Sequence, residues 1–333
     1  MAQTEVKRQH YVPRTYLKNF AKEKSGEFHI MALPITDTRP EKIFEISITN
    51  VCLERHLYTL PGNTAHERML IETFYATEIE KHYERIYQLL IDPNKTTVTE
   101  SERELIISTV TTMFYRTTMW INQHNEFAKR TLTLLYETCK QAGKDYFISE
   151  GEKISIAGKT LEQIIIENKI ESKPMQVLSQ LEIAFKLLEQ RKGKDGIMIS
   201  KLVEDDCEFI TSDNPVIVQN PNGSRVLPFD PTNIMKLPLD NKHMLLLMPF
   251  ADKNSTHTIV RHNISGTMCK LKTLGSNSGQ FKKAERFVLG NDNSLNNYLK
   301  TKDASEQKLT DEEVKSLNSF DDMIKKAKDS GLL

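Results

Sequence analysis

The sequence predicts an α+β fold: an N-terminal segment and a long antiparallel helix pair packed with a mostly antiparallel C-terminal sheet. Three observations predict it. Two long stretches between residues 62 and 142 repeat apolar side chains at helical spacing. From residue 145 the texture changes to short apolar runs separated by Asn, Pro, Gly and Asp clusters, which are strand and turn signals. The linker between the two helical stretches is short, which favours antiparallel packing.

The elements follow in order. Residues 1–9 read as a disordered basic arm. Val12-Pro13 starts a short helix, because proline is tolerated at the first helical position. Tyr16, Leu17 and Phe20 dock it by one face. Residues 27–33 and 43–48 read as strands. A first long helix spans 64–91, with Ile71, Phe74, Tyr75, Ile79, Tyr83, Ile86 and Leu90 as its apolar stripe, and Asp92-Pro93-Asn94 stops it. The second opens on a capping box, Thr99 to Glu102, and runs to Ala142, where Gly143 follows as a C-terminal cap. A hairpin bends at Glu150-Gly151. Residues 160–169 and 173–192 read as two helices. Strand-like runs follow at 196–203, 207–212, 215–219, 224–229 and 243–250. One α+β domain over 10–275, helix-rich at 62–142 and strand-rich at 145–275, would then give way to a helical tail over 276–333. That tail holds an amphipathic piece at 311–328, suited to docking a protein partner or a second copy.

The totals narrow the class. The chain has 333 residues, 38% hydrophobic and 27% charged, and no apolar run long enough to span a bilayer. The four cysteines lie far apart with no C-x-x-C, which argues against a cysteine-built zinc site and fits a cytoplasmic protein with free thiols. Net charge is zero, yet residues 1–24 hold Lys7, Arg8, Arg14, Lys18, Lys22 and Lys24 against Glu5 and Glu23, a local balance of +4. Such an arm is suited to RNA or DNA phosphates, although solvated basic termini are common. The chain lacks the P-loop, dinucleotide-binding, zincin, nucleophile-elbow and EF-hand patterns.

Candidate chemistry gathers in three places. In Q-H-Y-V-P-R-T-Y-L-K-N-F, His10 is a candidate general base and Arg14 an anion fork, with Asn19 nine residues on. The plain alternative has His10 bracing the helix, Arg14 pairing with a carboxylate and Asn19 fixing a turn. In T-S-D-N-P, Ser212, Asp213 and Asn214 end an apolar strand at a sheet rim, where sites often lie; local turn chemistry explains them equally. On the helices, Arg116 follows Phe114-Tyr115, and Glu72 edges the buried stripe. A buried arginine needs a partner, so the pair is either a structural ion pair or the charged wall of a cleft. Glu78 and His82, four apart, are a weaker metal pair.

The motif H-Y-V-P-R-x-Y-L-K-N-F at 10–20 resembles the opening of a bacterial family of unknown function, DUF4238. The order of later features is similar too: H-L-Y at 56–58, F-Y-R-T at 114–117, F-I-T-S-D-N-P-V at 209–216, and Pro238-Leu239 before an apolar strand. The likeness covers roughly residues 9–250. The chain departs from the family pattern at Thr118, where R-T-P is common, and near Asp240, where a second serine-proline pair is common. The resemblance implies that these segments form one domain. It selects His10, Arg14, Asn19, Tyr58, Glu72, Arg116, Ser212, Asp213 and Asn214 as recurrent polar positions, and implies no activity.

The expectation is a polar cleft that cleaves nucleic-acid phosphodiesters, in a bacterial defence or toxin role. Glu72 and Asp213 would hold a divalent metal or position water, His10 would move protons, and Arg14 and Arg116 would hold phosphate. Asn19, Tyr58, Ser212 and Asn214 would contact substrate. The metal is left open, Mg²⁺ or Mn²⁺ being the ions that suit such a site. The alternative is a binding or interaction module without turnover, whose polar set is structural or holds a small anionic ligand.

Overall fold

The computed structural model describes residues 5–149, 151–220, 226–227, 229–249, 255–291 and 293–306. The helix expected at 311–328 and half of the run at 224–229 lie outside them. The chain is α+β, as expected.

A short ribbon opens the fold. Strand β1 (Arg8–His10) pairs antiparallel with β5 (Leu53–Arg55). Residues 8 and 9 are therefore ordered, against the expectation of a disordered arm, because the backbone of β1 finds a ladder partner. Pro13 precedes α1 (Arg14–Leu17), which continues into a 3₁₀ turn, Lys18–Phe20. Tyr16, Leu17 and Phe20 are buried, as their spacing predicts.

Two larger sheets follow. In one, β3 (Glu27–Pro34) pairs with β2 (Lys22–Lys24), β4 (Phe44–Ser47) and β14 (Phe287–Gly290), and β14 pairs with the two-residue β9 (Thr211–Ser212), all antiparallel. In the other, the order is β10 (Ile217–Gln219), β11 (Ile234–Pro238), β12 (His243–Met248), β8 (Gly196–Leu202) and β13 (Ile259–Ile264). Only the β8–β13 pairing there is parallel. The strand β6 (Tyr146–Ser149) pairs with β7 (Glu152–Ser155) in the expected hairpin. The body does not end at residue 275. The helix α8 (Gly266–Lys283) crosses that boundary, β14 is built into the first sheet, and α9 (Ser294–Glu306) packs on β14.

The helices depart from two long rods. The first stretch breaks into α2 (Ala65–Arg68), α3 (Leu70–Phe74), a π turn (Tyr75–Ile79), a 3₁₀ turn (Glu80–His82) and α4 (Tyr83–Ile91). The second splits into α5 (Glu100–Tyr115), opened by the expected Thr99–Glu102 capping box, and α6 (Thr118–Gln141). Thr117 adopts extended backbone, φ −74° and ψ 160°, and restarts the helix as its N-cap. Gly143, at φ +64°, takes the left-handed conformation that a helix C-terminus favours. The two helices expected at 160–192 are one, α7 (Leu161–Arg191), which runs through Pro174. It packs on both α5 and α6.

The second half of α5, from Ile106 to Tyr115, is buried throughout. It lies in the main core with apolar side chains of α4, α7 and the second sheet. Its C-terminal residue is therefore held deep in the protein.

Candidate functional site

The end of α5 leaves carbonyl groups without helical partners. The Tyr58 hydroxyl donates to the Arg116 carbonyl at 2.6 Å. Arg116 itself is 1% exposed. Its Nη2 donates to the His10 carbonyl at 2.7 Å and to Glu80 Oε1 at 2.8 Å. The guanidinium carbon lies 4.1 Å from the centre of the Tyr75 ring and 5.8 Å from that of Tyr58, within cation–π range.

The π turn shapes this site. An α-helix rotates about 100° per residue, so a regular helix would place Glu80 about 80° around from Glu72. One extra residue in the turn reduces that offset to about 20°. Both carboxylates then act on Arg116. Only Glu80 bonds it; Glu72, the partner expected from sequence, stands beside the pair and feels both charges. Glu80 and Tyr75 are thus site residues that the sequence reading missed.

Four polar atoms of this cluster are buried and make no hydrogen bond among the described residues: His10 Nε2, Glu72 Oε2, and Arg116 Nε and Nη1. Burial raises the Glu72 carboxyl to about 7; Arg116 pulls it down and Glu80 pushes it further up. Burial lowers His10 to about 4, helped by Arg14 and Arg116 and opposed by Glu80. At neutral pH, His10 is an uncharged imidazole and Glu72 is near its midpoint. Arg14 is exposed at the start of α1. His10, Glu72 and Glu80 are each partly exposed, so the cluster reaches solvent on their side while Arg116 is sealed.

The other candidates go elsewhere. Asp213 is 1% exposed, and its carboxylate accepts three backbone N–H groups, from Glu285 (2.9 Å), Arg286 (2.6 Å) and Phe287 (3.2 Å). Burial raises it to about 6, against the pull of those donors. Ser212 Oγ donates to Gln280 at 2.7 Å and accepts from the Asn214 backbone N–H, and Asn214 Nδ2 donates to the Lys283 carbonyl. This trio ties β9 to the end of α8 and the start of β14. It does not join Glu72 in a metal site. Among the described residues, no three His, Cys, Asp or Glu side chains gather as metal ligands do. Glu78 is exposed beside Lys81, and Asn19 sits against Tyr83. Sequence reading also passed over Asp240, which accepts the Tyr87 hydroxyl at 2.8 Å and lies 2.9 Å from His243 Nδ1.

Among the described residues, no helix is long and apolar enough to cross a membrane. The family model described as "Protein of unknown function (DUF4238)" matches residues 8–327. No curated protein and no solved structure matches the chain.

Proposed function

We propose, for a chain that belongs to the DUF4238 family, that the His10–Glu72–Arg116 cluster cleaves nucleic-acid phosphodiesters by acid–base chemistry. The family name assigns no activity, so the reading rests on this chain's own residues. The observation that carries it is the set of four buried polar atoms left without partners around one guanidinium. Buried polar groups are nearly always bonded, and an exception calls for an explanation such as strain, a catalytic role or a bound water or ion.

Each residue takes a role from its surroundings. Glu72, with a pKa near 7, takes a proton from the attacking hydroxyl and returns it to the leaving oxygen. His10, neutral at that pH, offers its Nε2 as a hydrogen-bonding partner. Arg14, exposed and close enough to act on His10, holds the phosphate. Arg116 is too deeply buried to grip a polymer, so it positions Glu72 and adjusts its proton affinity. That replaces the phosphate-holding role expected for it. Asp213 supports the fold and takes no part.

A second reading follows from the same burial. Arg116 bonds a backbone carbonyl and Glu80 at 1% exposure, which is how a polar core pins a terminal segment to its helices. On that reading the protein binds or assembles without turnover. The test is incubation of the full chain with mixed RNA and DNA, with and without Mg²⁺ or Mn²⁺, beside Glu72→Gln and His10→Ala. Cleavage by the parent, lost in a folded Glu72→Gln, supports the proposal. Absence of cleavage, or cleavage that both variants retain, overturns it.

A further inference from the structure

The break between α5 and α6 has a second consequence beside Arg116. There a cavity of about 260 Å³ is lined by Phe114, Thr117, Trp120, Asn214, Val216 and Lys283, among others. Two of its lining residues carry buried polar atoms without a partner among the described residues. Asn214 is 4% exposed and Thr117 is 1% exposed. Asn214 Oδ1 and Thr117 Oγ1 make no hydrogen bond among the described residues.

The orientation of the amide is fixed. Asn214 Nδ2 donates to the Lys283 carbonyl at 2.9 Å, and a flipped amide would set two oxygens against each other. Oδ1 is therefore held as an acceptor, in a residue that lines the cavity. Thr117 is the N-cap of α6, yet its side chain makes no capping bond, so its hydroxyl is free to donate or accept. Apolar and aromatic side chains form the walls, and exposed Lys283 stands at the rim.

We propose that this cavity binds a nucleobase bearing a phosphate, either a free mononucleotide or one nucleotide of a single strand. The flat ring lies against the Phe114 and Trp120 wall. A ring N–H donates to Asn214 Oδ1, a ring acceptor or exocyclic group meets the Thr117 hydroxyl, and the phosphate reaches Lys283. Small-ligand pockets combine apolar walls with a few placed polar groups in this way. The inference does not use Glu72 or His10 and stands apart from the cleavage reading.

Trp120 is the chain's single tryptophan, so its fluorescence reports this cavity. The full chain is titrated with mononucleotides, the matching nucleosides, inorganic phosphate and a short single-stranded RNA. A saturable change is expected with mononucleotides or the RNA and not with phosphate alone. Saturation by mononucleotides assigns a free ligand; saturation by the RNA alone assigns a base within a strand. Thr117→Val forfeits no existing hydrogen bond, so it should fold normally and weaken binding roughly three- to tenfold. Lys283→Glu should weaken the phosphate-bearing ligand and leave the nucleoside unchanged. No saturable change at millimolar ligand, or equal affinity in both variants, overturns the proposal. Glu72→Gln should bind as the parent does, which separates this result from any failure of cleavage.

Discussion

Replacing Glu72 with glutamine keeps the side chain's size and removes its charge. Burial raises the native carboxyl from its ordinary 4.5 to about 7. Between those values the folded protein binds more protons than the unfolded chain. The stability contributed by the neutral carboxyl is therefore complete below the unfolded value and is lost as pH rises through 7. At about 1.4 kcal/mol per pH unit, the loss amounts to about 3 kcal/mol, an upper bound because the side chain is partly exposed. Glu72→Gln should match the parent's stability near pH 4 and exceed it by about 2–3 kcal/mol above pH 7. Urea unfolding across that range, with the difference taken at each pH, measures this directly. A difference that does not change with pH would refute the reasoning, since Glu72 would then titrate alike in both states. Where the parent cleaves nucleic acid, the same variant should be more stable and inactive, the expected trade at a catalytic group.

Three further outcomes follow. Asp213→Ala strands three backbone N–H groups that now share a carboxylate; thermal unfolding should show a loss of about 3 kcal/mol or more, and a loss under about 1 kcal/mol would deny it the structural role. Asp195→Ala leaves Arg191 buried without its ion-pair partner at 2.6 Å, which should cost about 3–5 kcal/mol in urea unfolding despite the carbonyls that Arg191 still meets. Glu80→Gln removes the negative neighbour that pushes Glu72 up; a carboxyl NMR titration should find Glu72 below about 7, and an unchanged midpoint would mean that the two glutamates do not share Arg116.

The sequence reading succeeded where periodicity and local turn chemistry decide the outcome. Tyr16, Leu17 and Phe20 are buried at the predicted spacing, Thr99 and Glu102 close the predicted capping box, and β8, β10 and β12 form where the apolar runs lie, whereas β11 was not foreseen. It failed where distant backbone decides. Glu80 was invisible because regular helical spacing rotates it away from Glu72, and nothing in Y-A-T-E-I announces a π turn. The break after Arg116 carries no Gly or Pro, and the apolar pattern runs straight through it. Pro174 marked a helix end that tertiary packing overrode, since α7 stays seated on α5 and α6. Asp213 looked equally like a site or a turn. The backbone N–H groups that its carboxylate accepts, at 285–287, lie more than 70 residues away in sequence.

Both candidate sites grow from helical irregularity, and a physical reason connects them. A regular helix satisfies its own backbone and turns each side chain by a fixed step, so it seldom gathers several polar groups on one buried point. The π turn aligns Glu72 with Glu80, and the α5 terminus aims Arg116 at them. One residue later, Thr117 restarts the helix from extended backbone and lines the cavity that Asn214 also lines. Each irregularity forfeits helical hydrogen bonds, and the protein recovers only part of that loss, as when Tyr58 caps the Arg116 carbonyl. Among the buried polar atoms without a partner in the described residues are His10 Nε2, Glu72 Oε2, Arg116 Nε and Nη1, Thr117 Oγ1 and Asn214 Oδ1. Leaving a buried polar group unpaired costs about 1–3 kcal/mol. Six of them gather around one helix break, and the Glu72 and Thr117 variants test the two proposed sites there independently.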